Sequence, residues 1–224
     1  NANIHNLIKK NKNNFLIKNN IEIQNNFFDI EVFTDKNNNK FKKITKVNND
    51  VSRDSLDFLY NSLSFLIFVP EMERLFQASP TYRRNFLDRL IFSIRNNYNK
   101  LINKYKKLLL ERVKILQKNS IDINWLTHIE KEICSIGCEI YKLRESQINL
   151  INKNLKILKN DHKFTFDVEL IIKDEFINDG IIFEKYLLNL KDSRNYDKQY
   201  GGTKFGPHKS DIIAKINNDF DASL

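Results

Sequence analysis

The sequence predicts an α+β protein in which a long antiparallel helical hairpin interrupts a β-rich region. Apolar residues follow strand spacing over the first part of the chain, up to about residue 47. Beyond Pro80 they recur every three or four residues, which is helix spacing, and strand spacing returns near residue 164. A hairpin inserted between two halves of one sheet domain explains this order with the fewest assumptions.

The N-terminal region has four short apolar stretches that predict strands. They cover residues 15–17, 21–23, 27–34 and 41–47. Residues 35–39 read Asp-Lys-Asn-Asn-Asn, and Asn and Asp favour turns because they tolerate left-handed backbone. A hairpin turn is therefore expected between the last two strands.

The next stretch leads into the helical region. Residues 52–63 predict a short helix, and residues 65–69 predict a buried strand that Pro70 ends. Pro80 suits the first position of a helix, where its missing N–H costs nothing.

Two apolar series at spacings of three and four predict two long helices. Arg112 interrupts the first series, which resumes at Ile115, and residues 120–124 break the pattern before the second. A short connection makes an antiparallel pair. The first series is Leu87, Ile91, Ile94, Tyr98, Leu101, Tyr105 and Leu108, and the second is Leu126, Ile129, Ile133, Ile136, Ile140, Leu143, Leu150 and Ile157.

The remaining chain predicts a return to β structure. Residues 164–172 have strand character, with Phe166, Val168 and Leu170 on one face, and Asp179-Gly180 indicates a turn. Residues 181–190 predict a helix, 192–204 a polar loop, and 212–216 a last strand.

Composition narrows the class of protein. The 224 residues carry 37 Lys and Arg against 28 Asp and Glu, a net charge of +9, which suits a polyanionic partner. Abundant Asn, Lys and Ile also follow from an AT-rich genome, so the charge has two explanations. No apolar run is long enough to span a bilayer, and no secretory signal begins the chain, which favours a cytoplasmic protein.

The two ends suggest a piece of a longer protein. The chain begins with Asn1, its single methionine is Met72, and it stops directly after a strand-like stretch.

No catalytic or metal motif is present in the sequence. It contains no G-x-S-x-G, no H-E-x-x-H and no G-x-x-x-x-G-K-[S/T] phosphate loop, and it has only five glycines. Cys134 and Cys138 have no second pair of ligands in a zinc-type spacing, so they are expected to be buried or half-buried thiols and not metal ligands.

Two segments have residue choices that structure alone does not explain. Residues 70–76 read Pro-Glu-Met-Glu-Arg-Leu-Phe, and Arg83-Arg84-Asn85-Phe86-Leu87-Asp88 begins the first long helix. Basic residues oppose the dipole at a helix N-terminus. The arginines therefore either pair with acids such as Glu71, Glu73 or Asp88, or face a phosphate.

The second segment is Gly206-Pro207-His208-Lys209-Ser210-Asp211, directly before the last predicted strand. On its own it is a plain turn or a binding loop.

Together these segments resemble the RecF family. That family has a Pro-x-Met/Asp-x-x-Leu stretch, then Arg-Arg-x-Phe-Leu-Asp, then a helical arm and Gly-Pro-His-Arg-x-Asp, and all three occur here in that order. Trp125, Gly137, Arg144 and the Val47-Asn48 turn also fall where such proteins have similar residues. The resemblance covers essentially the whole chain.

The resemblance implies part of an ABC-type, SMC-like ATPase head with an inserted helical arm. The expected segments are 1–79 and 196–224 in the head and 80–195 in the arm. Full-length members bind ATP and Mg²⁺, dimerise, bind duplex and gapped DNA, and act with RecO and RecR to load RecA. This chain lacks their phosphate loop, signature segment and Walker B acids, so no bound nucleotide is expected.

The resemblance also implies roles for individual residues. Glu71 would lie near the Q-loop, and Arg83, Arg84, His208 and Lys209 near the nucleotide or DNA face. Lys209 replaces the family's usual Arg, which loses a bidentate fork. Ser210 stands where many members have Asp. Alternatives are another SMC-like head, which would need longer coiled coils, or a non-enzymatic helical adaptor.

Overall fold

The computed structural model describes residues 4–37, 40–63, 70–161, 165–174, 183–217 and 220–221. The chain divides into two compact units, residues 1–65 and residues 66–224. Each unit contains a three-stranded antiparallel sheet.

The first unit is a meander with a short helix on either side. Its two-residue turn places Gln24 and Asn25 in the left-handed region, with φ of 49° and 63°, and so joins Ile23 directly to its partner Asn26. The elements are α1 (Ile4–Leu7), β1 (Leu16–Ile23), β2 (Asn26–Asn37), β3 (Lys40–Val47) and α2 (Arg53–Ser62).

The strands and the helix predicted here are found, with one change. The first two predicted strands are one continuous strand, β1. The helix predicted over 52–63 is confirmed as α2, whose N-cap Ser52 accepts a hydrogen bond from the Ser55 amide. The strand predicted over 65–69 lies outside the described residues.

The second unit contains the helical hairpin. A 3₁₀ segment (Pro70–Gln77) precedes it, and a small sheet follows. The elements are α3 (Pro80–Ile94), α4 (Tyr98–Leu116), α5 (Ile123–Asn160), β4 (Val168–Lys173), α6 (Phe183–Asp192), α7 (Arg194–Tyr200), β5 (Asp211–Ile216) and β6 (Phe220–Asp221).

The first long helix of the predicted hairpin is two helices. Arg95 leaves the helical region at φ −128° and ψ 93°, and α4 begins three residues later at Tyr98. Asn96 and Asn97 stand at this break, and asparagine side chains compete with the helix for backbone hydrogen bonds. Ile94, at the end of α3, is exposed and leaves the apolar series.

Two apolar cores hold the second unit together. One lies in the hairpin between α4 and α5 and extends to Tyr186 and Leu190 of α6. The other joins α3 and α5 to the sheet, through Leu87, Ile148 and Ile212. The sheet therefore packs against the base of the arm.

Two predictions about the C-terminal part are wrong. The strands of residues 16–47 and those of residues 168–221 form two separate sheets, because the described strands of each region pair only with one another. Residues 194–200, predicted as loop, form α7, which ends at Gly201 with φ 68°. The sequence does not predict this helix, because the side chain that fixes it in the fold is a buried carboxylate, Asp197, and not an apolar residue.

Other predictions for this region have mixed outcomes. The strand over 212–216 and the helix over 181–190 are found as β5 and α6, but Phe166 precedes β4 and is exposed. The turn predicted at Asp179-Gly180 lies outside the described residues. The division into head segments 1–79 and 196–224 and an arm segment 80–195 stays a prediction.

Candidate functional site

The two unusual sequence segments meet in the structure. Arg83, in the first turn of α3, donates Nε to Asp211 Oδ1 at 2.8 Å and Nη2 to Oδ2 at 2.7 Å. Its Nη1 donates to the carbonyl oxygens of Phe76 and Ala78. Arg83 is buried, so this bidentate pair ties α3 to the first residue of β5.

A second bidentate pair joins α3 to α5. Arg144 donates Nε and Nη2 to the two carboxylate oxygens of Asp88, each at 2.9 Å, and Nη1 to Pro207 O at 2.5 Å. The Tyr98 hydroxyl donates to the same carboxylate at 2.6 Å. We call Arg83, Asp88, Arg144 and Asp211 the motif clasp, because they lock the two segments together.

The salt-bridge alternative for Arg83 is therefore found, but with another partner. The sequence suggested Glu71, Glu73 or Asp88, whereas the acid is Asp211, 128 residues away. Asp88 is occupied by Arg144. The sequence suggested acids close to Arg83 along the chain, whereas the loop before β5 folds back onto α3 and brings Asp211 to Arg83.

Arg84 differs from its neighbour. Nη1 donates to the Ser210 carbonyl oxygen at 2.6 Å and Nη2 to Thr81 Oγ1 at 2.9 Å, so both acceptors are neutral. Burial and the nearby Arg144 lower the pKa of Arg84 below its ordinary value. The Arg84 side chain is half-buried and lines a cleft.

His208 lies in a hydrogen-bonded chain of buried groups. Nε2 contacts the Thr203 carbonyl oxygen at 2.8 Å, which can only accept, so Nδ1 accepts from the Tyr105 hydroxyl at 3.0 Å. Tyr105 in turn accepts from Tyr186 at 2.8 Å. Burial lowers the pKa of His208 from 6.5 to about 4, which keeps the ring neutral.

The glycine of the second segment is required by close packing. A Cβ at Gly206 would lie 2.1 Å from the Tyr186 hydroxyl oxygen and 2.4 Å from that of Tyr105, and its φ is 124°. Gly137 of α5 makes a similar approach to Tyr186, at 2.7 Å. Gly206 therefore lets the loop lie directly on the two phenol hydroxyls, and Gly137 lets α5 pack closely against the ring of Tyr186.

The other candidate residues are placed as follows. Lys209 is exposed, and its backbone N–H closes the turn onto Gly206 O. Glu71 lies in the 3₁₀ segment, and its side chain falls outside what the structure describes. Ser210 is buried, where its hydroxyl donates to Pro207 O and accepts from Arg144, so it is a structural residue.

A cleft of about 180 Å³ opens beside these residues, between α3, α4, α5 and the loop of residues 206–211. We call it the Arg84 cleft. Its lining residues are Thr81, Arg84, Asn85, Asp88, Ile102, Tyr105, Lys106, Ile140, Arg144, Pro207 and His208.

A second ionic cluster lies inside the arm and was not expected from the sequence. Arg112, the residue that interrupts the apolar series, is fully buried, with Nε 3.1 Å from Glu130 Oε1 and Nη1 2.6 Å from Asp197 Oδ2. Arg194 Nη2 lies 2.5 Å from Glu130 Oε2. We call these four residues the buried network. The sequence indicates this network only through Arg112, an arginine at a core position of a predicted helix.

The cysteines are placed as the sequence indicates. Cys134 is buried in the hairpin core, where burial raises the pKa of its thiol, and Cys138 is half-buried. Within the described residues, no group of three His, Cys, Asp or Glu side chains is arranged to hold a metal ion. No described helix has the length and apolar character needed to cross a membrane.

Comparison with known proteins identifies relatives for most of the chain. The DNA replication and repair proteins RecF of Rickettsia prowazekii and Rickettsia typhi are each 32% identical, over 176 and 179 residues. These matches cover 78% and 79% of this chain, and 48% and 49% of those proteins. RecF of Clostridium tetani is 29% identical over 183 residues. No protein-family model matches the sequence.

Solved structures show the same fold. A structure of the recombination mediator protein RecF with ATPrS matches all of this chain and 61% of its own, with a TM-score of 0.80 at 23% identity. A second, with ATP, matches with a TM-score of 0.76. The chain spans about half the length of the curated relatives it matches. Three motif segments in family order, these relatives and this fold agree, and the chain belongs to the RecF family.

Proposed function

We propose that this chain is the arm-bearing part of a RecF-type protein that binds duplex and gapped DNA in recombinational repair and replication restart. The observation that carries the proposal is the meeting of residues 83–88 with residues 206–211 around a cationic cleft, in a RecF-family chain. At full length the protein would be a cytoplasmic, ATP-dependent homodimer with an SMC-like ATPase head. It would act with RecO and RecR to load RecA.

Nucleotide binding is proposed only for the full-length protein. The residues of this chain do not fit a phosphate-cradling loop, because its described glycines have other surroundings. Gly137 is inside α5, Gly201 caps α7 beside Gly202, and Gly206 is packed on two tyrosines. ATP and Mg²⁺ would be held by segments that these 224 residues do not contain, and hydrolysis would be weak and stimulated by DNA.

The proposal is tested by DNA binding of the 224-residue chain. We expect weak, sequence-independent binding to a labelled duplex, falling steeply between about 50 and 200 mM salt, because lysines and arginines release counterions from phosphates. Fluorescence anisotropy measures the affinity at each salt concentration. Binding that does not change with salt would contradict a phosphate-contacting surface.

Calorimetry tests whether nucleotide binding requires segments other than these 224 residues. We expect no heat of binding when MgATP is added to this chain, since the amides that surround a γ-phosphate in a P-loop are missing. Saturable MgATP binding would place nucleotide chemistry in these residues and contradict the proposal.

The paired arginines need separate tests in a protein of full RecF length. Arg84→Ala is expected to weaken ATP-dependent DNA binding while the arm stays folded. Arg83→Ala removes a bidentate pair of the motif clasp and is expected to lower stability as well. Normal DNA binding by a folded Arg84→Ala protein would make this residue purely structural.

The helical-adaptor alternative predicts an apolar stripe without a basic face. Arg84 and Lys106, on one side of the arm, support the DNA-binding proposal over it.

A further inference from the structure

The charges around the Arg84 cleft do not balance. Each of its two nearest carboxylates is already paired, Asp88 with Arg144 and Asp211 with Arg83. Arg84 and Lys106 line the same cleft, and within the described side chains neither forms an ion pair. The charged lining residues are therefore three cations, Arg84, Lys106 and Arg144, against the single carboxylate of Asp88, and the lining has an excess of positive charge.

Of Arg84 and Lys106, Arg84 gives the stronger indication of a bound anion. A guanidinium that is half removed from water normally pairs with a carboxylate, because desolvation of an unpaired charge is unfavourable. Arg84 instead donates to a backbone carbonyl and a threonine hydroxyl. These neutral contacts fix its orientation without a direct ion pair. The charges of Asp211 and Asp88 attract it from beyond ion-pair distance, and Arg144 repels it.

The rest of the cleft strengthens the binding of an anion and offers that anion further hydrogen-bond donors. Ile102 and Ile140 form apolar walls, which exclude water and increase the attraction between charges. Asn85 and Thr81 add neutral hydrogen-bonding groups at the rim. Lys106 is exposed, so its ammonium can close over a group that enters from solvent.

We propose that the Arg84 cleft seats a single phosphate group of a nucleic-acid strand, held by Arg84 at its wall and Lys106 at its rim. The proposal rests on the DNA binding proposed above and gives one contact of that surface. The cleft has room for a phosphate, and a contact with a phosphate carries no sequence preference. The DNA binding proposed above makes a nucleic acid the source of this phosphate, and an acidic peptide is the alternative that the tests below must exclude.

The first test compares two neighbouring lysines of α4 in the 224-residue chain. Lys106 lines the cleft, whereas Lys107 is also exposed but points about 100° further round the helix. Lys106→Ala is expected to weaken duplex binding equally for unrelated sequences. It should also reduce the slope of log K against log salt by about 0.9, the value of one lost phosphate contact. Lys107→Ala should change the slope by less than half as much.

The second test needs no DNA. Inorganic phosphate is titrated into isotope-labelled chain at constant ionic strength, and the side-chain NMR signals of Arg84 and His208 are followed. We expect saturable shifts of both signals, with weaker binding in Lys106→Ala and unchanged binding in Lys107→Ala. A separate competition experiment uses labelled duplex, which a short glutamate oligomer is expected to displace from the chain far less well than an oligonucleotide of equal charge.

The outcomes separate the two proposals. Saturable phosphate binding without duplex binding would overturn the proposed function and the nucleic-acid source of the phosphate, and would leave only phosphate binding by the cleft. Duplex binding in which Lys106→Ala equals Lys107→Ala, with no phosphate-induced shift, would overturn the seat alone. Equal displacement of DNA by the glutamate oligomer would make the cleft a carboxylate pocket and also overturn it.

Discussion

The motif clasp and the buried network use the same chemistry at different depths. Both join arginines to carboxylates that are distant in sequence, and both attach the helical arm to the C-terminal part of the second unit. In the clasp, the carboxylates of Asp88 and Asp211 keep 19% and 23% of their surface exposed. In the network, Arg112, Glu130 and Asp197 are completely buried.

This difference in depth indicates a difference in role. A fully buried ionic group must have every partner in place, because a single missing partner leaves an uncompensated charge in a medium of low dielectric constant. The network therefore fixes one packing of α4, α5 and α7. The clasp lies at the edge of a cleft, where its neighbours Arg84 and Lys106 can meet a ligand. We expect stability to depend most on the network and binding most on the cleft.

The sharpest test of this comparison is Arg112→Ala. Removal of the guanidinium leaves Glu130 with Arg194 alone and deprives Asp197 of its cationic partner, and we expect a loss of about 3–5 kcal/mol in the free energy of unfolding. Urea denaturation followed by circular dichroism measures it. The midpoint should fall without a change in helix content at low urea.

A matched control lies on the same two helices. Lys104 and Glu132 form an exposed ion pair between α4 and α5, with nitrogen and oxygen 2.7 Å apart. Lys104→Ala is expected to cost less than about 1 kcal/mol, since exposed pairs contribute little. If the two variants lose similar stability, burial does not distinguish the network from a surface pair.

The second largest effect is expected from Gly206→Ala, which tests how tightly the loop of residues 206–211 is held. An added Cβ would overlap the hydroxyls of Tyr105 and Tyr186, and a φ of 124° is unfavourable for alanine. We expect a loss of roughly 2–4 kcal/mol from strain and overpacking. Thermal unfolding monitored by circular dichroism measures the change.

Gly202→Ala provides the comparison for this variant. No atom lies within 4 Å of a Cβ built at Gly202, so this substitution should be nearly neutral. A neutral Gly206→Ala would mean that the loop shifts freely away from the tyrosines, and the clasp would then be a loose contact.

The sequence predicted local elements better than long-range ones. Spacing alone predicts α5, because its apolar residues repeat over the whole helix and Asp122 caps its start. The division at residues 95–97 and the helix α7 were missed. The break lies at Asn96 and Asn97, and the apolar spacing continues across it from Ile94 to Tyr98, so spacing alone does not reveal it. The helix α7 depends on a tertiary contact, the buried pair of Asp197 and Arg112, about which periodicity contains no information.

The candidate site shows the same limit. Family motifs drew attention to Arg83, Arg84, His208 and Lys209, and the structure brings the first three close to one cleft. The motifs do not indicate that Arg83 forms a salt bridge while Arg84 forms none among the described residues. That distinction depends on Asp211, whose contact with α3 only the fold creates. Lys106 belongs to no motif and becomes a candidate only through the cleft.

The smallest effect is a pH dependence of the loop of residues 206–211, which contains His208. Burial lowers the pKa of His208 from 6.5 to about 4, and the cations Lys209, Arg84 and Arg144 act in the same direction. As pH falls below 6.5, the unfolded chain takes up a proton that the folded ring refuses. Stability should therefore fall between pH 6.5 and 4 and change no further from this source below pH 4.

The size of this effect is at most about 3 kcal/mol, because each pKa unit corresponds to about 1.4 kcal/mol and solvent reaches part of the ring. His208→Gln is the matched variant, since its amide N–H can still donate to the Thr203 carbonyl oxygen without titrating. The carboxylates of the chain contribute equally to both proteins, so the difference between their urea-unfolding curves across this pH range isolates His208. Parallel curves for the two proteins would mean that the ring already accepts a proton in the folded state. The directed chain from Tyr186 through Tyr105 to His208 would then not be what holds the loop in place.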